Sequence, residues 1–383
     1  MNARIPLSAP DITEAEIDAV TAVLRTPHLC SGPELTAFES ALARYHLVDH
    51  ALAVSSGTAG LHLALVALGI GEGDEVIVPS FAFVAVANTV RQVRALPVFA
   101  DIDAATLNLD PTAVEQAITP RTRAMVVVHT FGVPADMDAL GTIARRHSLV
   151  LVEDACEAIG AEFDGRRVGG FGDLAVLGFY PNKQITTGEG GAVLCRDARV
   201  AARLRSLRNQ GRTGAEWLDH VEPGFNYRLS DLACALGRVQ LGRIDEILQL
   251  RAQAAERYDA LLRNVSGDIP SLELPPLELE RRKLSWFIYA IRLPENVNRE
   301  RVQAIMTRQG IATGRYFAPL HQQPALCGEL WRDGKRLAVT EQIAPRMLAL
   351  PFFNRITASD QMGVADALRG AIDDARQSQH SPR

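Results

Sequence analysis

Between about residues 50 and 196, short β-branched runs alternate with stretches of helical periodicity. Seven strands are expected, at 51–54, 75–79, 96–102, 123–129, 149–154, 174–179 and 191–196. Several contain continuous apolar runs, such as VVV at 126–128 and LVLV at 149–152, the pattern of strands covered on both faces. Helical patterns at 61–68, 83–93, 111–118 and 136–147 lie between many of them. The expected fold class is therefore α/β, a layered domain around a mostly parallel seven-stranded sheet. The stretch GIGEGD at 69–74 is expected as a turn between a helix and the next strand.

On the N-terminal side, Thr13 to Glu16 forms a capping box that opens a helix with Ile17, Val20 and Leu24 on one face. On the C-terminal side, 230–262 predicts one long or broken helix. It lacks proline and carries Leu232, Leu236, Val239, Ile244, Ile247 and Leu250. The segment SLELPPLELE at 271–280 predicts a loop, SWFIYAIRLP a strand and 299–309 a helix. These elements divide the chain into a large domain, 1–244, and a smaller C-terminal α/β domain, 245–383, ending in a polar tail, QSQHSPR.

Composition narrows the function. A formal net charge of -5 gives no basic footprint for a phosphate backbone, so no nucleic-acid partner is expected. The first residues, MNARIPLSAPDITEAE, show no basic stretch leading into an apolar core, and no apolar run approaches the roughly 20 residues that span a bilayer. A soluble, cytoplasmic protein with no membrane partner is the expectation. Cys30, Cys156, Cys195, Cys234 and Cys327 are scattered without a C-x-x-C pair and read as small buried hydrophobes. His46 and His50 lie four apart but lack a third ligand, so they read as surface or loop residues and no metal is expected. Of the 40 basic residues only three are lysine, at 183, 283 and 335, and the remaining 37 are arginine.

Ligands of open parallel sheets sit beyond the carboxyl ends of the strands, so the polar residues that follow the apolar runs are the candidates. Three sets stand out. In ALAVSSGTAGLHLAL a strand runs through Ser55, Ser56, Gly57 and Thr58 into a helix, whose N-terminal N–H groups suit a phosphate; helix capping alone is the other reading. In LVLVEDACEAIGA, Glu153 and Asp154 end an apolar strand, where a carboxylate needs a cation or hydrogen-bond donors; an N-cap is the alternative. In DLAVLGFYPNKQITTGEGGAVLCRD, Lys183 lies between two apolar strands. Desolvation favours a neutral amine, the state a Schiff-base nucleophile needs; a salt bridge to Glu189 is the alternative. A phosphate cradle, an aldehyde-capturing amine and a carboxylate able to hold a pyridine nitrogen protonated are together what pyridoxal 5'-phosphate requires.

The same residues resemble the DegT/DnrJ/EryC1/StrS family of sugar aminotransferases. The likeness spans nearly the whole chain, through IPLSAPDITEAEI, SSGTAGLHLAL, PSFAFVAVAN, VHTFGVPADMDAL, VEDACEAIGAEFDGR, GFYPNKQITTGEGG, NYRLSDLACALGRVQL and LPFFN. It implies a fold-type I transferase in which Lys183 forms the internal aldimine and moves the substrate proton. Asp154 would pair with the pyridine nitrogen, Gly57 and Thr58 would hold the phosphate, and Phe83 would stack on the ring. Asn226 would reach the phosphate of a neighbouring subunit, making the active site that of a homodimer.

Two positions depart from the family. Gly178 stands where a phosphate-binding serine is common. Glu157 stands where glutamine or histidine is common beside the ring oxygen, which a carboxylate would repel unless protonated or paired. Some relatives carry histidine in place of the lysine and deoxygenate instead; with Lys183 present, transamination is expected. The expected reaction transfers an amino group from an amino acid, L-glutamate, to a keto group of a nucleotide-linked hexose. A cyclitol ketone as acceptor and a non-catalytic regulator of the same fold are the alternatives. Arg212, Arg228 and Arg315 lie in or near matched segments, as diphosphate contacts or as solvated surface residues.

Overall fold

Alternation of side chains along the strands sets the architecture, and the computed structural model describes it for residues 4–214, 218–269, 271–326 and 336–377. Cys327, Lys335 and the tail from 378 onward lie outside the described residues. In chain order the helices and strands are α1 (Glu14–Leu24), α2 (Pro33–His46), β1 (His50–Val54), α3 (Gly57–Ala67), β2 (Glu75–Pro79), α4 (Ala85–Gln92), β3 (Leu96–Ala100), α5 (Pro111–Ala117), β4 (Thr122–Val128), α6 (Met137–His147) and β5 (Val150–Asp154). There follow β6 (Glu162–Phe163), β7 (Arg166–Arg167), β8 (Leu174–Gly178), β9 (Gly191–Cys195), α7 (Ala198–Arg208), α8 (Asp231–Gly242) and α9 (Ile244–Asp268). The C-terminal part holds β10 (Arg282–Lys283), β11 (Tyr289–Arg292), α10 (Arg299–Arg308), α11 (Ala338–Ile343), β12 (Met347–Leu350) and α12 (Ala358–Gln377).

Seven strands form one sheet in the order β1-β9-β8-β5-β4-β2-β3, matching the seven expected runs to within two residues at each end. β2, β3, β4, β5 and β8 pair in parallel, whereas β9 is antiparallel to both β8 and β1. β1 therefore runs the same way as β8, and its carboxyl end opens on the same edge as those of β4, β5 and β8. Val76, Val78, Val126, Val128 and Val152 face one side of the sheet, in a core with residues of α3, α4 and α7. Ile77, Met125, Val127 and Leu151 face the other, against α6 and Val114 of α5. Apolar side chains on both faces explain why these strands read as continuous runs.

Local sequence signals place the helices. Ser56 caps α3 by accepting the Ala59 N–H at 3.0 Å, and the Asp110, Asp136, Asp197, Ser230 and Asn298 side chains cap their helices in the same way. The capping box of α1 is present, with Glu16 accepting the Thr13 N–H at 2.7 Å. The expected apolar face of α1 does not face the core: Ile17 and Leu24 are exposed, while Glu16 and Val23 are buried. Burying Glu16 is possible because Gln240 and Arg243 bond its Oε1, each at 2.8 Å. Those hydrogen bonds and that of Thr13 outweigh the upward push of burial and hold its carboxyl down at about 2.

The helix expected over 230–262 is broken at Arg243, the C-cap of α8, and α9 continues to Asp268. Ile244 and Ile247 pack in the core on the side of α2 and α8, whereas from Ala254 onward α9 joins a second core with α10, α12, β11, β12 and Ile5. Two readings of single residues are corrected here. His46 is buried, not at the surface: it closes α2 with Nδ1 3.1 Å from the Val168 carbonyl, and burial pushes its pKa down to about 4. Cys30 is exposed rather than buried. No helix among the described residues is long and apolar enough to cross a membrane.

Candidate active site

A cavity of about 640 Å³ opens at the carboxyl edge of the sheet. Gly57, Thr58, Phe83, Asp154, Glu157 and Lys183 all line it; Asn226 does not line the cavity of its own chain. Added to these are Asn182, Phe287, Tyr316 and Phe317, none of which stood out in the sequence.

Parity decides which strand-end carboxylate faces the cavity. β5 pairs with β4 so that Val128 stands opposite Asp154 and Val127 opposite Glu153. Asp154 shares the face of Val152 and Val128, the face with the cavity, and Glu153 points to the other side with Leu151. Glu153 is fully occupied there. It accepts N–H bonds from Gly169, Phe171 and Gly172, each at 2.7 Å, and from His129 Nε2 at 3.1 Å. Because His129 Nδ1 accepts the Ala135 N–H, the ring proton sits on Nε2 and is donated to the carboxylate. Burial pushes the Glu153 carboxyl up, but these donors outweigh it and hold the group below its usual range. Asp154 uses Oδ1 to accept the Cys156 N–H at 3.1 Å, so the capping reading is correct for one of its two oxygens.

Lys183 sits in the turn between β8 and β9. The salt bridge to Glu189 weighed for it is not made; its partner is Glu157, with Nζ 3.5 Å from Oε1. Glu157 Oε2 accepts the Phe131 N–H at 3.0 Å, and the Phe287 ring centroid lies 3.8 Å from Lys183 Nζ. Glu157 is 5% exposed, and burial raises its pKa although the neighbouring Lys183 ammonium opposes the shift. The pairing that a carboxylate at this position was expected to need is thus present. Lys283, by contrast, is an exposed lysine paired with Glu162 at 3.2 Å.

Phe287 arrives from far along the chain because its backbone is tied down twice. Its N–H donates to the Phe131 carbonyl at 3.1 Å, and its carbonyl accepts from the buried Arg251 guanidinium at 2.6 Å. Gln184, next to Lys183, donates to the Glu157 carbonyl at 2.7 Å and to Ser285 Oγ at 3.0 Å, joining the lysine turn to that segment. A sequence signal exists only for Asn182 and Gln184, which flank the lysine; nothing local marks Phe287 or Tyr316.

At the phosphate end, Gly57 and Thr58 head α3, and the Ser56 cap engages Ala59, leaving their N–H groups beyond the cap's reach. A Cβ on Gly57 would lie 2.8 Å from Cys156 Sγ, so a larger residue there would have to displace that thiol. A Cβ on Gly178 would lie 3.1 Å from both Cβ and Sγ of Cys156, which leaves little room for serine there. Phe83 is 59% exposed, at the cavity mouth. Of the arginines weighed as diphosphate contacts, Arg228 bonds Asn209 at 2.9 Å, and none lines the cavity among the described residues.

A lysine amine, an available carboxylate oxygen, a helix N-terminus and a buried, unpartnered Asn182 Oδ1 around one hollow are a donor set that fits pyridoxal phosphate. Fold and site together define a pyridoxal-phosphate-dependent transferase. The chain belongs to the DegT/DnrJ/EryC1/StrS aminotransferase family, whose model matches residues 10–369. It is 40% identical to the GDP-perosamine synthase of Caulobacter vibrioides over 370 residues, 95% of this chain and 97% of that protein. Among solved structures it resembles DesV of S. venezuelae in complex with a ketimine intermediate, at 35% identity, TM-score 0.86 and full coverage, 100%, of both chains. It also resembles the sugar aminotransferase Spr1654 of Streptococcus pneumoniae in its PMP form, at 26% identity and TM-score 0.91, covering 98% of this chain and 100% of that one. The chain is thus a pyridoxal-phosphate-dependent aminotransferase.

Proposed function

We propose that this aminotransferase moves the amino group of L-glutamate to a keto group of a nucleotide-linked hexose. Sugar amination is the coarser reading, supported by the family and by relatives named for sugar chemistry. The observation that carries the catalytic reading is Lys183, held at the cavity wall with Glu157 and in one hollow with Asp154. A non-catalytic regulator has no need of that set. A cytoplasmic location accords with a nucleotide-linked substrate.

When bound, pyridoxal phosphate supplies an electron sink that the protein lacks. Gly57 and Thr58 present N–H groups and the positive end of α3 to its phosphate. Asp154, whose Oδ1 accepts the Cys156 N–H, would keep the pyridine nitrogen protonated. Phe83, at the cavity mouth, would cover the ring. Lys183 would take the proton from the donor's carbon and return it on the other side of the reaction.

Two measurements test this reading. L-glutamate should bleach the yellow absorption of the holoenzyme as the pyridoxamine form accumulates, and one member of a panel of nucleotide-linked 3-keto and 4-keto sugars should restore it. No bleaching by glutamate refutes the donor. Bleaching that no keto sugar reverses, but a cyclitol ketone does, moves the acceptor to the alternative class.

The homodimer reading rests on the family resemblance, which assigns Asn226 to the phosphate of a neighbouring subunit; its place outside its own chain's cavity, in a bridge with Asn209, accords with that. Asn226→Ala should weaken cofactor binding about tenfold while the protein sizes as a dimer, the loss that one hydrogen bond to a charged group brings. A monomer by sizing, or unchanged cofactor affinity, contradicts it.

A further inference from the structure

We infer that Glu157 is the proton acceptor of Lys183: it takes up the proton that the lysine ammonium gives up when Nζ bonds to a carbonyl carbon, and returns it when Lys183 is released. The inference rests on the aminotransferase reading for its place in turnover and on geometry for its substance. Glu157 Oε1 is the carboxylate oxygen in contact with Nζ, at 3.5 Å. Both side chains are enclosed, Lys183 at 14% and Glu157 at 7% side-chain exposure, so solvent is a poor competitor for the proton.

The direction of transfer follows from the charges that face the carboxyl. Until Nζ bonds to carbon, Glu157 has the Lys183 cation beside it at 3.5 Å, and that charge opposes the upward push of burial on the carboxyl. The Phe287 ring beside Nζ favours the ammonium as well. Once Nζ is committed to a neutral imine, the cation is gone and Glu157 faces burial with one backbone donor, the Phe131 N–H, and with Asp154 as a like charge. Desolvation and that repulsion then favour the acid form. Cys156 and Tyr316 are the other titratable groups acting on it; burial raises both, so each stays neutral and neither supplies a cation. The step balances: the ammonium, the carboxylate and the carbonyl become imine, carboxylic acid and one water. Two N–H protons leave with the carbonyl oxygen and the third ends on Oε1.

The result is an uncharged Lys183–Glu157 pair during the covalent stage, and a proton held 3.5 Å from the nitrogen that needs it on release. Glutamine at this position would keep the Phe131 contact but hold no proton.

The experiment uses cofactor-free full-length protein, in which Lys183→Met removes the cation without any substrate. Infrared difference spectra at about pH 7.5 should show a carboxylic-acid carbonyl band in Lys183→Met that is absent from wild type and from Lys183→Met/Glu157→Gln. A carboxyl raised in the folded state stabilises at low pH, and that contribution fades as pH climbs through its folded value. The apparent Tm of Lys183→Met should therefore fall below that of the double variant by roughly 2–5 °C as pH rises from about 5 to about 8. A missing band, or a Tm gap that does not change with pH, overturns the inference. Neither readout involves an amino donor or a sugar, so failure here leaves the aminotransferase reading standing, and failure of the substrate panel leaves this result intact.

Discussion

Lys183→Ala is expected to lower turnover by at least about 10⁴-fold, the largest single effect in the protein, because one side chain performs two tasks. It supplies the amine that captures the cofactor's aldehyde and the base that moves the substrate proton; positioned proton transfer alone accounts for about 10²–10⁴-fold. The absorption at issue is that of an imine, so its loss is a second, independent readout. The variant should bind pyridoxal phosphate with the spectrum of the free aldehyde in place of the imine band. Retention of the imine band in Lys183→Ala would remove the Schiff-base assignment, since the described residues place no other lysine at this cavity. The fold should survive: the lysine sits in a turn after β8, and its removal opens no gap in the sheet cores.

Asp154→Asn ranks second, with an expected loss of about 10²–10⁴-fold in turnover and a change of no more than about tenfold in cofactor affinity. Asparagine keeps an Oδ1 that can accept the Cys156 N–H, so the turn after β5 persists. What disappears is the anion that keeps a pyridine nitrogen protonated. An amide has no charge to offer, and an electron sink without its proton is a weak one. A fall in kcat with nearly constant cofactor Kd supports the role, and near-normal turnover refutes it. Glu153, the adjacent carboxylate, serves as the contrast. Its four donors come from the opposite side of the sheet, so Glu153→Gln should act on stability rather than on chemistry.

Much of this was legible in the chain itself. The seven strands, the capped helices between them and the residues Gly57, Thr58, Asp154 and Lys183 follow from local pattern, Phe83 and Glu157 from the family resemblance, and these residues meet in one cavity. Two failures share a cause. The exposed apolar stripe of α1 and the buried His46 both depend on what packs against the element, α8 for the one and the segment around Val168 for the other. Periodicity reports that a face is apolar, not what covers it. A long or a broken helix was legible over 230–262, but not that the break falls at Arg243, because arginine is a good helix former; there its side chain bonds Glu16 and Asp11.

The sequence by itself determined the class of fold, the order of the chemical groups along it and the presence of one lysine in an apolar setting, since each is written in residues close together in the chain. Tertiary structure alone decided the lysine's partners. Glu189, six residues away, was the nearer candidate in sequence, yet the pairing of β8 with β5 and the lock between Phe131 and Phe287 bring Glu157 and an aromatic ring to Nζ instead. Strand order and long-range hydrogen bonds set which carboxylate reaches which cation, and no local pattern encodes them.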